Sequence, residues 1–280
     1  MRLSPLELRR SRLDWSRPYV VGVLNATPDS FSDGGQFSGV EAAVVRGLAL
    51  EADGADVLDV GGESTRPGAA PVSANEEVER AVPVIRALAA RATIPISIDT
   101  TKAKVAQAAI EAGAEIVNDI SGGRFDPSII ETADALGACY VLGHAPGDDL
   151  ATVHAARGEG GRYEDVAFDL AARVARLPAG LRHRTIVDPG LGFGKLTAQN
   201  VELSRRAGEL AAGVGRPVMV GPSRKRFLGA LTGRQVEDRD PETVGAALAA
   251  VACGAHLVRV HEVSLIAPAL TVFRTIARAE

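Results

Sequence analysis

The sequence predicts an α/β protein, a single (β/α)8 TIM barrel, and three observations carry the prediction. Short apolar runs alternate with longer segments of helical period, as repeated βα units require. Eight of these runs end in a polar residue or a glycine-bearing turn, at Asn25, Asp59, Asp99, Asn118, His144, Asp188, Gly221 and His261. A closed barrel gathers all its strand ends on one face, whereas a doubly wound open sheet would concentrate ligand residues at one switch point. The length, 280 residues, suits one such barrel.

In chain order, strands are expected at 19–24, 56–60, 94–98, 115–117, 139–142, 185–187, 217–220 and 256–260. Their continuous apolar character suits strands covered on both faces. Helices are expected at 40–53, 75–90, 102–112, 127–136, 163–176, 201–212, 241–253 and 264–277. Asn75 would cap the second of these ahead of Glu76 and Glu77, and Gly54, Gly113, Gly137 and Gly254 stand where a left-handed closing residue is wanted. Segments 26–39 and 63–74, rich in Gly, Pro, Ser and Asp, read as long flexible binding loops after strands 1 and 2. Residues 1–17 form an N-terminal extension and 18–280 the barrel domain.

With 46% hydrophobic residues the chain can bury a large core, filled mostly by aliphatic side chains because aromatics make up only 4%. A formal charge of -4 argues against nucleic acid as the partner and for a small molecule. The first fifteen residues lack an apolar core of signal-peptide length, and the apolar stretch 244–258 is broken by two glycines and His256, so no membrane span is expected and the location reads as cytoplasmic. Cys139 and Cys253 show no Cys-x-x-Cys spacing and read as small buried hydrophobes.

Two loops concentrate polar chemistry. Asn25-Ala-Thr-Pro-Asp-Ser-Phe-Ser-Asp-Gly-Gly35 leaves strand 1, and Asp59-Val-Gly-Gly-Glu-Ser-Thr-Arg-Pro-Gly68 leaves strand 2 with two carboxylates, hydroxyls and an arginine. As plain chemistry the first is a polar turn, and the second either binds an anion or is solvated. Arg259 and His261 alternate along strand 8 and so point to one face. Alone, His261 would read as a satisfied core histidine, while for each strand-end Asp a structural salt bridge is the lesser alternative to a binding role. Gly190 to Lys195 fails the Walker pattern, which needs one more residue between its outer glycines and Ser or Thr where Leu196 stands. It reads as a glycine-rich support for Asp188, with Lys195 solvated.

Together the two loops resemble the dihydropteroate synthase family. The resemblance runs from about Pro18 to the C-terminus and includes Ser97-Ile-Asp-Thr100, Asn118-Asp-Ile120, Asp188-Pro-Gly-Leu-Gly-Phe-Gly-Lys195, Ser223-Arg-Lys225 and Arg259-Val-His-Glu262. It implies a pterin-binding barrel enzyme of folate biosynthesis, a transferase and sulfonamide target. The reaction condenses 6-hydroxymethyl-7,8-dihydropterin diphosphate with p-aminobenzoate to 7,8-dihydropteroate and pyrophosphate, by a largely dissociative displacement. By resemblance Asp99, Asn118, Asp188 and Lys225 hold the pterin, a fixed carboxylate suiting its adjacent N–H donors. Arg259 and His261 bind the diphosphate, Asn25 contacts a Mg²⁺ ion, and Asp59 acts near the reacting end or caps the next turn. Phe31, Thr65, Arg66, Pro67 and Lys225 border p-aminobenzoate.

The resemblance further implies a homodimer, for which Val244, Leu248 and Val251 supply either an interface or ordinary barrel packing. Two departures stand out. Gly143-His-Ala-Pro-Gly147 replaces a bulkier Met-His segment, leaving room for a larger or looser pterin pocket, with His144 serving either packing or contact. Arg226 stands where many relatives have Ser. A noncatalytic pterin-binding paralogue would bind pterin without releasing pyrophosphate, and a methyltetrahydrofolate-binding methyltransferase would need no diphosphate site. The retained Asn25, Asp99, Asn118, Asp188, Lys225, Arg259 and His261 argue against the first, and the Ser-Phe-Ser-Asp-Gly-Gly loop with the Arg259/His261 pair argues against the second.

Overall fold

The computed structural model describes residues 3–26, 36–66, 68–155, 158 and 161–277. Its strands are β1 Leu6–Glu7, β2 Arg12–Leu13, β3 Tyr19–Asn25, β4 Val57–Gly61, β5 Ile96–Asp99, β6 Ile116–Asp119, β7 Cys139–Gly143, β8 Thr185–Asp188, β9 Met219–Val220 and β10 Leu257–Val260. Among the described residues, eight strands pair in parallel in the order β8-β7-β6-β5-β4-β3-β10-β9. A parallel bridge between Val187 and Val218, with Val187 N–H donating to Pro217 O at 2.9 Å, joins the two end strands. The sheet therefore closes on itself as a TIM barrel, each expected strand lying within two residues of its place.

The helices are α1 Gln36–Ala52, α2 Ala74–Ala89, α3 Ala103–Ala112, α4 Ser128–Ala135, α5 Leu150–Ala155, α6 Tyr163–Arg176, α7 Ala179–His183, α8 Thr197–Arg205, α9 Ala207–Val214, α10 Arg226–Thr232, α11 Asp240–Ala252 and α12 Val263–Ala277. Three of them, α5, α7 and α10, were not expected, being too short to show a helical period. The single helix expected at 201–212 is two. Arg206 between α8 and α9 leaves helical geometry, its guanidinium lying over the Tyr163 ring and pairing with Glu164, Glu202 and Glu209. The cap of α2 is Ser73, not Asn75, its hydroxyl accepting from Glu76 N–H at 3.3 Å. Gly54, Gly113, Gly137 and Gly254 all have positive φ, as closing residues should.

Alternation along the strands sorts side chains into two cores. Outward residues such as Leu24, Leu58, Ile98, Val117 and Val258 pack under the helices. Inward residues Val21, Val57, Ile116, Val141, Ile186, Met219 and Leu257 fill the barrel floor, closed from below by Leu6 and Leu13 of the β1–β2 hairpin. Cys139 belongs to this floor and is buried, but Cys253 at the end of α11 is only half-buried, correcting the expectation for it. Val244, Leu248 and Val251 pack, partly buried, against the outer core. Among the described residues no helix is long and apolar enough to cross a membrane.

Candidate active site

The floor residues fix the phase of everything above them. Two residues further along β4, β6, β8 and β10, inward positions become Asp59, Asn118, Asp188 and Arg259, with Asp99 of β5 in register with Asn118, so the polar set emerges at the carboxyl ends of the strands. Register aligns them: Asn25 pairs with Gly61, Gly61 with Asp99, and Asp99 with Asn118 on successive strands. The eight strand endings thus meet at one mouth.

Arg259 spans its centre. Its Nε donates to Asp59 Oδ2 at 2.5 Å and its Nη2 to Asp99 Oδ2 at 2.6 Å. Burial works against the charge on Arg259, but the two carboxylates outweigh it and hold the guanidinium protonated. Asp59, fully buried, also accepts from Asn118 Nδ2 at 2.9 Å, so its Oδ2 joins Arg259 to Asn118. Burial pushes the Asp99 carboxyl up, against the pull of Arg259.

Asp188 is pinned by Gly190 N–H donating to its Oδ1 at 2.7 Å. Lys225 reaches over the Gly190–Lys195 turn, donating to Leu191 O at 2.5 Å, with Nζ 4.1 Å from the Phe193 ring centroid. Gly192 permits this approach: a Cβ there would fall 2.5 Å from Lys225 Cδ, at a φ of 83° that already favours glycine. Burial lowers Lys225 to about 8, with Asp188 opposing the shift.

His261 is set by Ser223. The backbone N–H of His261 donates to Ser223 Oγ at 3.3 Å, and the same Oγ lies 2.8 Å from the ring Nδ1. A hydroxyl that donates to Nδ1 leaves the ring proton on Nε2. Burial first, then the charges of Arg259, Arg224, Arg66 and Lys225, lowers His261 to about 3, so the ring is neutral at physiological pH. These four cations around one imidazole also make the mouth suited to an anion.

Lys195 is not solvated. Its Nζ lies 3.1 Å from His144 Nδ1 and donates to His144 O at 3.0 Å and Phe193 O at 3.2 Å, and burial lowers it to about 7. His144 is thus a buried partner of the Gly190–Lys195 turn. Gly143 leaves no loosened pocket either. A Cβ at Gly143 would fall 2.5 Å from the Ile120 backbone, and Arg173 of α6 draws the β6 and β7 ends together by donating to Gly143 O, Ser121 O and Gly122 O.

Asn25 ends β3 at the rim, half-buried. Thr65 is half-buried and Arg66 exposed in the loop after β4, while Phe31 and Pro67 lie outside the described residues. Arg226 is exposed as the first residue of α10. Ser223 as the His261 partner was not expected from the sequence, nor was Arg224, whose fork binds Asp240 at 2.8 and 3.0 Å and whose Nη2 donates to Glu262 at 3.1 Å. Both stand in the quoted Ser223-Arg-Lys225 motif, which was the available signal.

Known proteins resemble this chain in sequence and fold. The pterin binding enzyme family matches residues 21–261 of the chain. The dihydropteroate synthase of Synechocystis sp. is 42% identical over 274 residues, covering 94% of this chain and 92% of its own length. The solved Xanthomonas albilineans dihydropteroate synthase with 4-aminobenzoic acid superposes with a TM-score of 0.90 at 42% identity, covering 99% of this chain and 100% of that one. Dihydropteroate synthase from that organism in complex with 7,8-dihydropteroate gives 0.85 at 39% identity, covering 99% and 100%. A pterin-binding match over most of the chain, on a barrel whose strand ends carry this polar set, leads to one conclusion: the chain belongs to the pterin-binding enzymes, and among them to the dihydropteroate synthases.

Proposed function

We propose that the polar rim of this barrel seats 6-hydroxymethyl-7,8-dihydropterin diphosphate and p-aminobenzoate and joins them, with loss of pyrophosphate, by a largely dissociative displacement. The family activity, formation of dihydropteroate in folate biosynthesis by a transferase, is the frame for this reading. The observation that carries it is the convergence of Asp99, Asn118 and Asp188 with Lys225 and Arg259 at the strand ends.

In this reading Asp99, Asn118, Asp188 and Lys225 meet the donors and acceptors of the pterin edge. Arg259 uses two of its five N–H groups on Asp59 and Asp99, which leaves the rest of a fixed fork for phosphate oxygens. His261, neutral and protonated on Nε2, donates a hydrogen bond to the leaving oxygen without transferring a full charge. The cationic surroundings stabilise charge growing on the leaving group. The amine of p-aminobenzoate is a neutral nucleophile and needs no strong base. Phe31, Thr65, Arg66 and Pro67 border it from the first two loops.

Magnesium fits the donor set. Among the described residues no group of three or more His, Cys, Asp or Glu could cage a metal, and Asn25 offers a hard oxygen at the rim. That suits an ion held by one protein ligand and substrate phosphates, which would neutralise diphosphate charge when bound. A homodimer is supported by Leu265, Val272 and Ile276, exposed on α12 at spacings that share one helix face; light scattering tests it.

The deciding experiment follows pyrophosphate and dihydropteroate from purified protein with dihydropterin diphosphate and Mg²⁺, with and without p-aminobenzoate. Matched, p-aminobenzoate-dependent formation of both products is expected. Pterin binding with neither product would mean a noncatalytic paralogue.

A further inference from the structure

The loop after β4 is gripped at its start, outside the polar rim. Glu63 Oε1 accepts from Val72 N–H at 2.7 Å, which ties residue 63 to residue 72. Glu63 Oε2 meets Lys102 Nζ at 2.8 Å, and the same Nζ meets Glu77 Oε2 of α2 at 2.5 Å. Glu77 is completely buried and Glu63 nearly so, with a side chain 9% exposed. Lys102 itself is placed by the β5 ending, its backbone N–H donating to Thr100 Oγ1 at 3.2 Å, just before α3 begins. Gly62 is held from the other side by Arg80 Nη1 donating to its carbonyl at 3.2 Å.

A single ammonium thus joins two buried carboxylates from different elements. Such a group is expensive to bury and gives little net stability, while removing one member leaves an unpaired buried charge. What it does supply here is registration. It fixes the foot of the segment 63–72 against α2 and β5, and Thr65 and Arg66 are the second and third residues above that foot. The pterin-side residues Asp99, Asn118, Asp188 and Lys225 have their own anchors and none of them bonds to Lys102, Glu63 or Glu77.

We propose that Lys102 is a positioning residue for p-aminobenzoate, acting through Glu63 on the loop that carries Thr65 and Arg66. The proposal rests on the reading that this loop borders p-aminobenzoate. The buried carboxylate of Glu77 is the fixed post, Lys102 the link, and Glu63 the point at which the loop is gripped.

The test is a comparison of Lys102→Met, Lys102→Arg, Glu63→Gln and Arg66→Ala, with Lys102→Met/Glu77→Gln included because it leaves no unpaired buried carboxylate on α2. Steady-state KM for p-aminobenzoate is measured beside the Kd of 6-hydroxymethylpterin diphosphate by fluorescence titration. The proposal expects Lys102→Met and the double variant to raise KM for p-aminobenzoate about tenfold, with pterin Kd within about twofold, Glu63→Gln to act in the same direction, and Lys102→Arg to recover most of the loss. If KM for p-aminobenzoate stays unchanged in both Lys102→Met backgrounds while Arg66→Ala raises it, the clamp is refuted and the loop reading stands. If Arg66→Ala leaves KM unchanged too, the loop reading fails and takes the proposal with it. Equal weakening of both substrates together with a lowered Tm would make Lys102 a fold support only, and overturn the proposal.

Discussion

Arg259 shows how one side chain can serve both structure and chemistry. It neutralises Asp59, which is fully buried, and Asp99, which is nearly so, and these carboxylates in turn aim its fork across the mouth. Arg259→Met would leave both without a cation, so we expect a loss of about 3 kcal/mol in unfolding free energy, the usual cost of breaking a buried pair. Turnover should fall about a hundredfold, the order seen when one charge-stabilising donor is removed. Arg259→Lys keeps the charge but cannot reach both carboxylates as a fork, so stability should largely return and turnover should not. Full turnover in Arg259→Lys would show that the fork geometry is not used. Ser223 offers a gentler probe, since its one hydroxyl meets both the ring and the backbone of His261. Ser223→Ala should lower kcat about tenfold with KM for p-aminobenzoate unchanged. Because His261 sits near 3, kcat/KM should show no ionisation near 6.5 assignable to it; a step there that vanishes in His261→Asn would contradict the neutral ring.

At the scale of elements, the turn between β8 and α8 is held by contacts that no local pattern announces. Strands were legible because uninterrupted apolar runs bury both faces, and their endings were legible because inward phase carries from floor to rim. Lys195 was not, since whether a lysine is solvated depends on what another element brings to it. Here β7 delivers His144, whose carbonyl and ring accept the ammonium. The break between α8 and α9 was hidden for the same reason, as Arg206 is drawn out of helical geometry by Tyr163 and Glu164 of α6. The buried lysine predicts a pH dependence. Lys195 is lowered to about 7, whereas in the unfolded chain it titrates near ~10.4. Between these values the unfolded chain holds a proton that the folded chain lacks, so stability from this group rises with pH over that window and is least below it. Lys225, lowered to about 8, contributes with the same sign over a narrower range. Urea unfolding at pH 7, 8 and 9 should therefore show a rising component that shrinks, without vanishing, in Lys195→Met. An unchanged slope would mean that Lys195 is charged and compensated in the fold.

Over the whole molecule, the barrel separates chemistry from stability along its axis. The mouth at the carboxyl ends carries the polar rim, while the opposite end is closed by the β1–β2 hairpin, with Leu6 and Leu13 in the same cluster as Val21, Val57 and Ile116. Arg10 ties the hairpin to the barrel through Glu115, at 2.6 Å, and Arg9 donates to Ala114 O at 2.9 Å. Closure by the Val187–Val218 bridge and this plug were beyond local sequence patterns, because both are long-range pairings whose partners are set only once the sheet has curled. The separation has a measurable consequence. Leu13 is 1% exposed, so Leu13→Ala should cost about 2–5 kcal/mol through lost burial and a cavity in the floor. Its distance along the strands from Asp99 and Arg259 means that kcat and both KM values should hold at temperatures where the variant remains folded. Thermal unfolding measured beside steady-state kinetics would show this as a lowered Tm with unchanged turnover. A matching fall in turnover below the transition would instead mean that floor packing sets the height of the rim, coupling the two ends of the barrel through the inward residues between them.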